Sequence, residues 1–369
     1  MKLEPALNLS RVAAPPAAPP VVSFFEFWPG WLFYAPVVAQ WIALGLRYGD
    51  LSLPTAANPA IVVGGLCGES KRAILDQVAG AERDVLARYT SIVSHASDPA
   101  ADLEAAERAV QRAGLGFPLV VKPDVGCNGT GVRLVIDRAG LARYLAAFPR
   151  GAGVMLQEFV PEEGEAGLFY VRHPNEPHGR ITSITLKYPP FVSGDGRSTL
   201  RELILADPRA GRLAHLYLRR LAERWDEVPR QGEVVRLVFV GNHCKGSIFR
   251  NGTGLATEAL TERIDRLARA LPEFWFGRID VRFGSVQALM RGEGFRVIEI
   301  NGVGSEATHV WDPATSLLEA WRAQFFHYGA AFRIAAANRA RGFRPAGIRA
   351  MWRHWRTQTR LMAAYPMND

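Results

Sequence analysis

Two short apolar runs, FWFGRID (274–280) and FRVIEIN (295–301), each carry oxygen-bearing side chains at their ends, and they constrain this chain more than any other feature. Bulky and β-branched residues dominate both runs and turn-formers bound them, so each reads as a buried strand. That spacing leaves Asp280, Glu299 and Asn301 at strand ends. Two carboxylates and an amide are hard oxygen donors, the set Mg²⁺ accepts when it also holds substrate phosphates. Lys122 and the glycine-rich loop DVGCNGTGV (124–132) lie upstream, in the order a nucleotide-dependent enzyme needs.

At 369 residues the chain has room for two or three domains and a sizeable core. Ordinary apolar content and moderate charge exclude wholesale disorder. The net charge is +8, and the segment after residue 320 is rich in Arg and poor in acids. Such a tail suits solvated helix faces or an anionic surface. No zinc-finger or RNA-binding fingerprint occurs, so no nucleic-acid partner is expected. Cys67, Cys127 and Cys244 are odd in number and lack a CxxC spacing. They argue against a disulfide framework and for a reducing cytoplasm. Secretion is not expected, because no charged start leads into a signal-type apolar core.

The pattern along the chain predicts an α/β (α+β) fold. Residues 1–22 form an Ala/Pro-rich disordered arm, 23–57 an apolar aromatic helical segment, and 58–115 an N-terminal parallel α/β domain. A central domain spans 116–312, and basic helices fill 313–369. The block 24–50 is the most apolar stretch, but Glu26, Pro29, Pro36 and Gln40 interrupt it. A helix packed on the body, an interfacial anchor and a membrane span are all open readings. AIVVGG (60–65) reads as a strand leading through a glycine turn into a helix over 68–78. Helices are expected at 100–114, 137–147, 198–206, 208–225 and 258–271. Strands are expected at 118–123, across 153–188, and at 233–240 and 244–250.

Lys122 closes the apolar run FPLVV, where a lysine is expensive to bury unless it meets an anion. Gly126, Gly129 and Gly131, with Asn128 and Thr130, give a hairpin tip whose backbone N–H groups can close over phosphate oxygens; an ordinary hairpin is the bland alternative. In VMLQEFV (154–160) the backbone of Glu158, Phe159 and Val160 suits an adenine edge, and Glu165 suits ribose hydroxyls. His243, Lys245 and Arg250 read as a basic strand able to line an anionic pocket, although a satisfied structural role is the commoner one for a histidine such as His173 or His243. Arg172 reads as a carboxylate clamp.

In order and spacing, FPLVVKP, DVGCNGTGV, LQEFVPEEGEAG, TLKYPP, FGRID and VIEING resemble the ATP-grasp superfamily of carboxylate–amine ligases, over roughly 58–310. SGDGRSTLRELI (193–204) resembles cyanophycin-synthetase-type members. The resemblance implies an ATP-grasp fold with two subdomains over 116–312 and ATP as the nucleotide. It implies Lys122 on the α/β-phosphates, the 124–132 loop as a lid, Glu158 at the adenine hinge and Glu165 on the ribose. Lys187 would reach the γ-phosphate, Arg278 would face the acyl-phosphate, and Arg88 would stand where relatives often have a further phosphate-contacting lysine. Asp280, Glu299 and Asn301 would hold two Mg²⁺ ions, with Mn²⁺ as a substitute. A small-molecule carboxylate and amine are the implied substrates. A nucleotide-binding scaffold and a small-molecule kinase are the rival readings. Residues 302–313, GVGSEATHVWDP, replace the proline-containing turn of D-alanine–D-alanine ligases, so D-alanine specificity is not expected. Location is expected in the cytoplasm, with peripheral contact at the inner membrane face and homo-oligomerisation as candidate associations.

Overall fold

A computed structural model describes residues 22–95 and 99–367, so the expected N-terminal arm, Val22 apart, lies outside the described residues. In chain order the elements begin with α1 (Gly30–Tyr48), α2 (Lys71–Asp76), β1 (Tyr89–Val93), α3 (Pro99–Arg112), β2 (Leu119–Pro123), β3 (Arg133–Val135) and α4 (Arg138–Ala146). Next come β4 (Gly153–Glu158), β5 (Gly164–Val171), β6 (Arg180–Tyr188), β7 (Phe191–Ser193), α5 (Leu200–Ala206), α6 (Ala214–Arg220), β8 (Val234–Arg236) and β9 (Ile248–Asn251). The chain finishes with α7 (Glu258–Arg269), β10 (Phe276–Phe283), α8 (Val286–Met290), β11 (Phe295–Asn301), α9 (Leu317–Ala340) and α10 (Ile348–Ala364).

The strands form a four-stranded sheet, β1-β4-β2-β3, a five-stranded sheet, β11-β10-β5-β6-β9, and the small pair β7-β8. Every ladder is antiparallel, which makes the fold α+β. The two-residue period decides which side chains enter the core. On β2, Leu119 and Val121 pack with Leu103, Leu141 and Tyr144 of α3 and α4. The alternate residues, Val120 and Lys122, face a cavity on the other side. On β10, Ile279 and Val281 pack with Ile264 and Leu267 of α7. Arg278, Asp280 and Arg282 take the opposite, cavity-facing side.

Several sequence expectations are corrected here. The N-terminal parallel domain does not form among the described residues. β1 instead joins the four-stranded sheet by antiparallel pairing with β4. AIVVGG makes a tight turn rather than a strand: Val63, Gly64 and Gly65 all have positive φ. The β-branched run is outweighed by packing that only glycine permits. A Cβ on Gly64 would lie 2.5 Å from the Thr55 carbonyl, and one on Gly65 would lie 2.7 Å from Gly302. The helix expected over 208–225 is helical as α6 only over Ala214–Arg220, with short 3₁₀ turns on either side. In 233–240 only Val234–Arg236 is strand, and His243–Lys245 is a 3₁₀ turn, so these residues form no basic strand.

The aromatic block 24–50 packs on the body of the protein. Trp41 stacks edge-on against Tyr328 and Phe332 of α9, and Trp321 Nε1 donates to the Phe33 carbonyl at 3.0 Å. Among the described residues no helix is long and apolar enough to cross a membrane.

Asn58 ties the turn to the five-stranded sheet. Its Oδ1 accepts from the backbone N–H groups of Trp275 (2.9 Å) and Phe276 (3.1 Å), while Nδ2 donates to the carbonyls of Phe276 (2.7 Å) and Gly64 (3.2 Å). Asn58 is fully buried, so Asn58→Ala strands several backbone groups without water. Chemical denaturation should show a loss of about 3 kcal/mol or more. A loss below about 1 kcal/mol would contradict this anchoring role.

Candidate functional site

The cavity-facing sides of the two large sheets enclose a cleft of about 570 Å³. β2 and β4 contribute Val120, Lys122, Gln157 and Glu158, and β5, β6, β10 and β11 contribute Glu165, Lys187, Arg278, Asp280, Arg282, Glu299 and Asn301. Gly126, Asn128, Gly129 and Thr130 of the glycine-rich loop also line it.

A register shift joins the two halves. Asp280 pairs with Glu299 while Val281 pairs with Val297, which leaves Ile298 as a bulge residue on β11. Its carbonyl, free of the ladder, accepts from Lys122 Nζ at 3.1 Å and Gln157 Nε2 at 3.2 Å. Gln157 Oε1 in turn accepts from Lys122 Nζ at 2.9 Å. Lys122 is only 5% exposed, and among the described residues no carboxylate lies within ion-pair distance of its ammonium. Burial strips its hydration and holds its pKa below that of a free lysine, with the Glu299 charge opposing the effect.

Asp280 has the opposite surroundings. Its carboxylate accepts from Lys187 Nζ (3.0 Å), Arg278 Nε (2.9 Å) and Nη2 (3.1 Å), and Asn301 Nδ2 (3.2 Å). Burial alone would raise its pKa, but the Arg278 guanidinium and Lys187 ammonium outweigh that and hold it below the ordinary range. Asp280→Asn therefore leaves two buried cations under-compensated and costs stability as well as a ligand oxygen. Glu299 is more open, with its carboxylate 3.7 Å from Lys71 Nζ and its side chain 26% exposed.

Among the described residues no three His, Cys, Asp or Glu side chains converge on one point. Two carboxylates and an amide on neighbouring register positions nevertheless fit Mg²⁺, which takes few protein ligands and keeps water or phosphate oxygens for the rest. They do not form a complete protein cage.

The loop 124–132 is held from two sides. A Cβ on Gly129 would lie 2.4 Å from Val240. From α10 and the residues after it, Gln358 Nε2 donates to Cys127 Sγ at 3.5 Å and Tyr365 OH donates to the Val125 carbonyl at 2.7 Å. Lys71 Nζ donates to the Gly126 carbonyl.

Six expected residues do not line the cleft: Gly131, Phe159, Arg88, Arg172, Lys245 and Arg250, the last of which pairs with Asp312 at 3.3 Å. Arg88 is exposed and pairs with Glu158 at 2.7 Å, and Arg172 lies over the Trp275 ring at 4.1 Å. Glu165 lines the cleft, and its carboxylate accepts from Lys187 at 3.2 Å. His243 lines it too, bonded to buried Glu26 at 2.9 Å and stacked on Trp311.

Sequence reading missed Glu69, Lys71, Tyr34, Arg282, Glu306 and Gln358, all of which line the cleft. One had a legible signal: Arg282 follows Arg278 and Asp280 at the strand period and so shares their face. Arg282 is 8% exposed, its Nε has no hydrogen-bond partner, and its guanidinium lies 5.9 Å from the Phe159 ring centroid. The other five come from remote segments. Tyr34 and Gln324 both donate to Glu306 Oε1, the former at 2.8 Å, and Trp311 Nε1 donates to its Oε2 at 2.8 Å.

No protein-family model matches this sequence, and no curated protein matches it. Solved structures give distant similarities. The chain is 14% identical to a D-Ala:D-Ser ligase, VanG, from Enterococcus faecalis, with a TM-score of 0.36, covering 71% of this chain and 64% of that one. It is 15% identical to a D-alanine–D-alanine ligase from Bacillus anthracis, with a TM-score of 0.38, covering 75% and 69% respectively. Against a bifunctional glutathione synthetase from Pasteurella multocida the identity is 17% and the TM-score 0.34, covering 69% of this chain and 35% of that one. The chain thus spans about a third of that synthetase and under two thirds of the VanG ligase. At these scores the similarities decide nothing about this chain's chemistry.

Because Lys122 is harder to protonate folded than unfolded, it costs stability at neutral pH. That cost fades as pH climbs toward the ordinary lysine value of 10.5, the unfolded chain binding more protons across the interval. Wild type should therefore gain stability relative to Lys122→Met as pH rises from neutral toward 10.5. Parallel stability curves for the two proteins would contradict the burial of an uncompensated ammonium.

Proposed function

We propose that this protein is an ATP-dependent carboxylate–amine ligase of the ATP-grasp kind. The observation that carries this reading is Lys122, a buried ammonium without a carboxylate partner, aimed into a cleft that a glycine-rich loop borders and strand-end oxygen donors line. A buried cation of this kind requires an anion, and a nucleotide's phosphate oxygens supply one.

In this reading Lys122 and Arg282, the cations without carboxylate partners, bind phosphate oxygens. Backbone N–H groups of 126–130 close over them. Val120, Val160, Phe239 and Ile298 give the base an apolar bed. Glu158 and Glu165 stand at the base and sugar end. Asp280, Glu299 and Asn301 would hold Mg²⁺, which when bound offsets charge on the phosphate oxygens. Lys187 and Arg278, already oriented by Asp280, face the charge that develops during transfer.

The reaction begins as a substrate carboxylate oxygen attacks the γ-phosphorus, forming an acyl–phosphate bond as the bond to the β,γ-bridging oxygen breaks and ADP leaves. An amine nitrogen then attacks the acyl carbon. Inorganic phosphate departs and the nitrogen gives up a proton, leaving an amide. Keeping water out protects the acyl-phosphate, a task that suits a loop held over the cleft.

ADP release should require a carboxylate, and hydroxylamine should trap a hydroxamate. A stable phosphate ester with no hydroxamate would instead support a kinase. Glu299→Gln should reduce ADP formation by about a hundredfold or more with the melting temperature retained, because Glu299 is the open member of the donor set. Arg282→Met should raise the Kd for ATP by about tenfold and leave that for adenosine unchanged. Equal losses for both ligands would assign Arg282 to the base rather than the phosphates.

A further inference from the structure

On the side of α1 away from the cleft, Trp31, Ala35, Val38, Ala39, Ile42 and Leu46 recur at helical spacing, and all are exposed. Trp31 and Leu46 are each 74% exposed and Val38 is 54% exposed, values of solvent-facing positions rather than of a packed helix. The only charged residue of α1 is Arg47. Phe24 and Phe27 are exposed just ahead of the helix, and Phe326 is exposed on neighbouring α9. Single exposed apolar residues are ordinary, but a continuous stripe of this length marks a contact surface.

The rim of the stripe is cationic. Arg212 lies over the Phe27 ring at 5.4 Å, near the start of α1. At the other end Arg47 lies over the Tyr48 ring at 5.9 Å, and Arg339 Nη1 donates to the Tyr48 carbonyl at 3.1 Å. Along the seam, Gln40 Nε2 and Arg333 Nη1 both lie within 4 Å of where a Cβ on Gly329 would stand. All four arginines are exposed. The nearby acids are engaged elsewhere: Glu26 is buried against Arg209 and His243, Asp50 accepts from Ser52, and Glu319 caps α9.

We propose that this face docks on the surface of an anionic lipid bilayer, with α1 lying in the interface. Apolar side chains at this spacing insert below the headgroups, Trp31 suits the boundary between headgroup and acyl chain, and the arginine rim meets lipid phosphates. A second copy of this chain fits the same face poorly, because symmetry would bring two cationic rims together. Docking here leaves the cleft open, since Phe33, Tyr34 and Trp41, which meet the body, lie on the inner side of α1.

Vesicle co-sedimentation of the full chain tests this. Phosphatidylglycerol-containing vesicles should carry the protein down, pure phosphatidylcholine vesicles should not, and added salt should weaken the binding. Ile42→Glu and Trp31→Glu should each cut the bound fraction by about tenfold or more. Arg333→Ala should weaken binding by about fivefold. All three positions are exposed, so melting temperatures should hold. Equal sedimentation with and without anionic vesicles overturns the proposal. So does light scattering that shows a wild-type dimer which Ile42→Glu converts to monomer.

Discussion

A backbone carbonyl on the edge strand of one sheet meets a buried cation of the other. Ile298 stands at a bulge on β11. Its oxygen accepts from Lys122 and Gln157 of the opposite sheet. That carbonyl thus helps to hold the buried cation in the cleft.

Charge within the cleft falls into two groups. Lys187, Arg278, Glu165 and Asp280 neutralise one another in a buried network, which contributes orientation more than stability. Lys122 and Arg282 stand outside it: among the described residues neither has a carboxylate within ion-pair distance, although Glu165 is the cross-strand partner of Arg282. Arg236 is half-buried nearby and donates to the carbonyls of Val238 and Phe239, and loss of hydration pushes its pKa down to about 10. The paired set can hold reacting atoms in place, and the unpaired set can bind them. A ligand-free protein tolerates such unpaired cations only as a cost carried for binding.

Much of this was legible in the sequence because it rests on local patterns. The two-residue period of FPLVVKP and FGRID put Lys122, Arg278 and Asp280 on faces opposite the core, and the glycine loop lies where its composition places it. The parallel N-terminal domain was not legible. IVV favours a strand locally, but the glycines after it pack against Thr55 and Gly302, a contact more than two hundred residues away in the latter case. Tyr34, Glu306 and Gln358 escaped for the same reason. They reach the cleft on α1, a loop after β11, and α10, and no local periodicity reports which distant segment closes a cavity. Arg172 and Lys245 show the converse error: chemically apt residues whose strand or turn carries them elsewhere.

The central claim is that the seam at Ile298 holds an ammonium in wait for a nucleotide's phosphates. Titration calorimetry of the full chain with ATP and Mg²⁺, in parallel with Lys122→Met, tests it most directly. Saturable binding at one site per chain, lost in the variant while adenosine binds both proteins equally weakly, is the expected result. Absence of binding heat in the wild type, or identical ATP affinity in the two proteins, would contradict it.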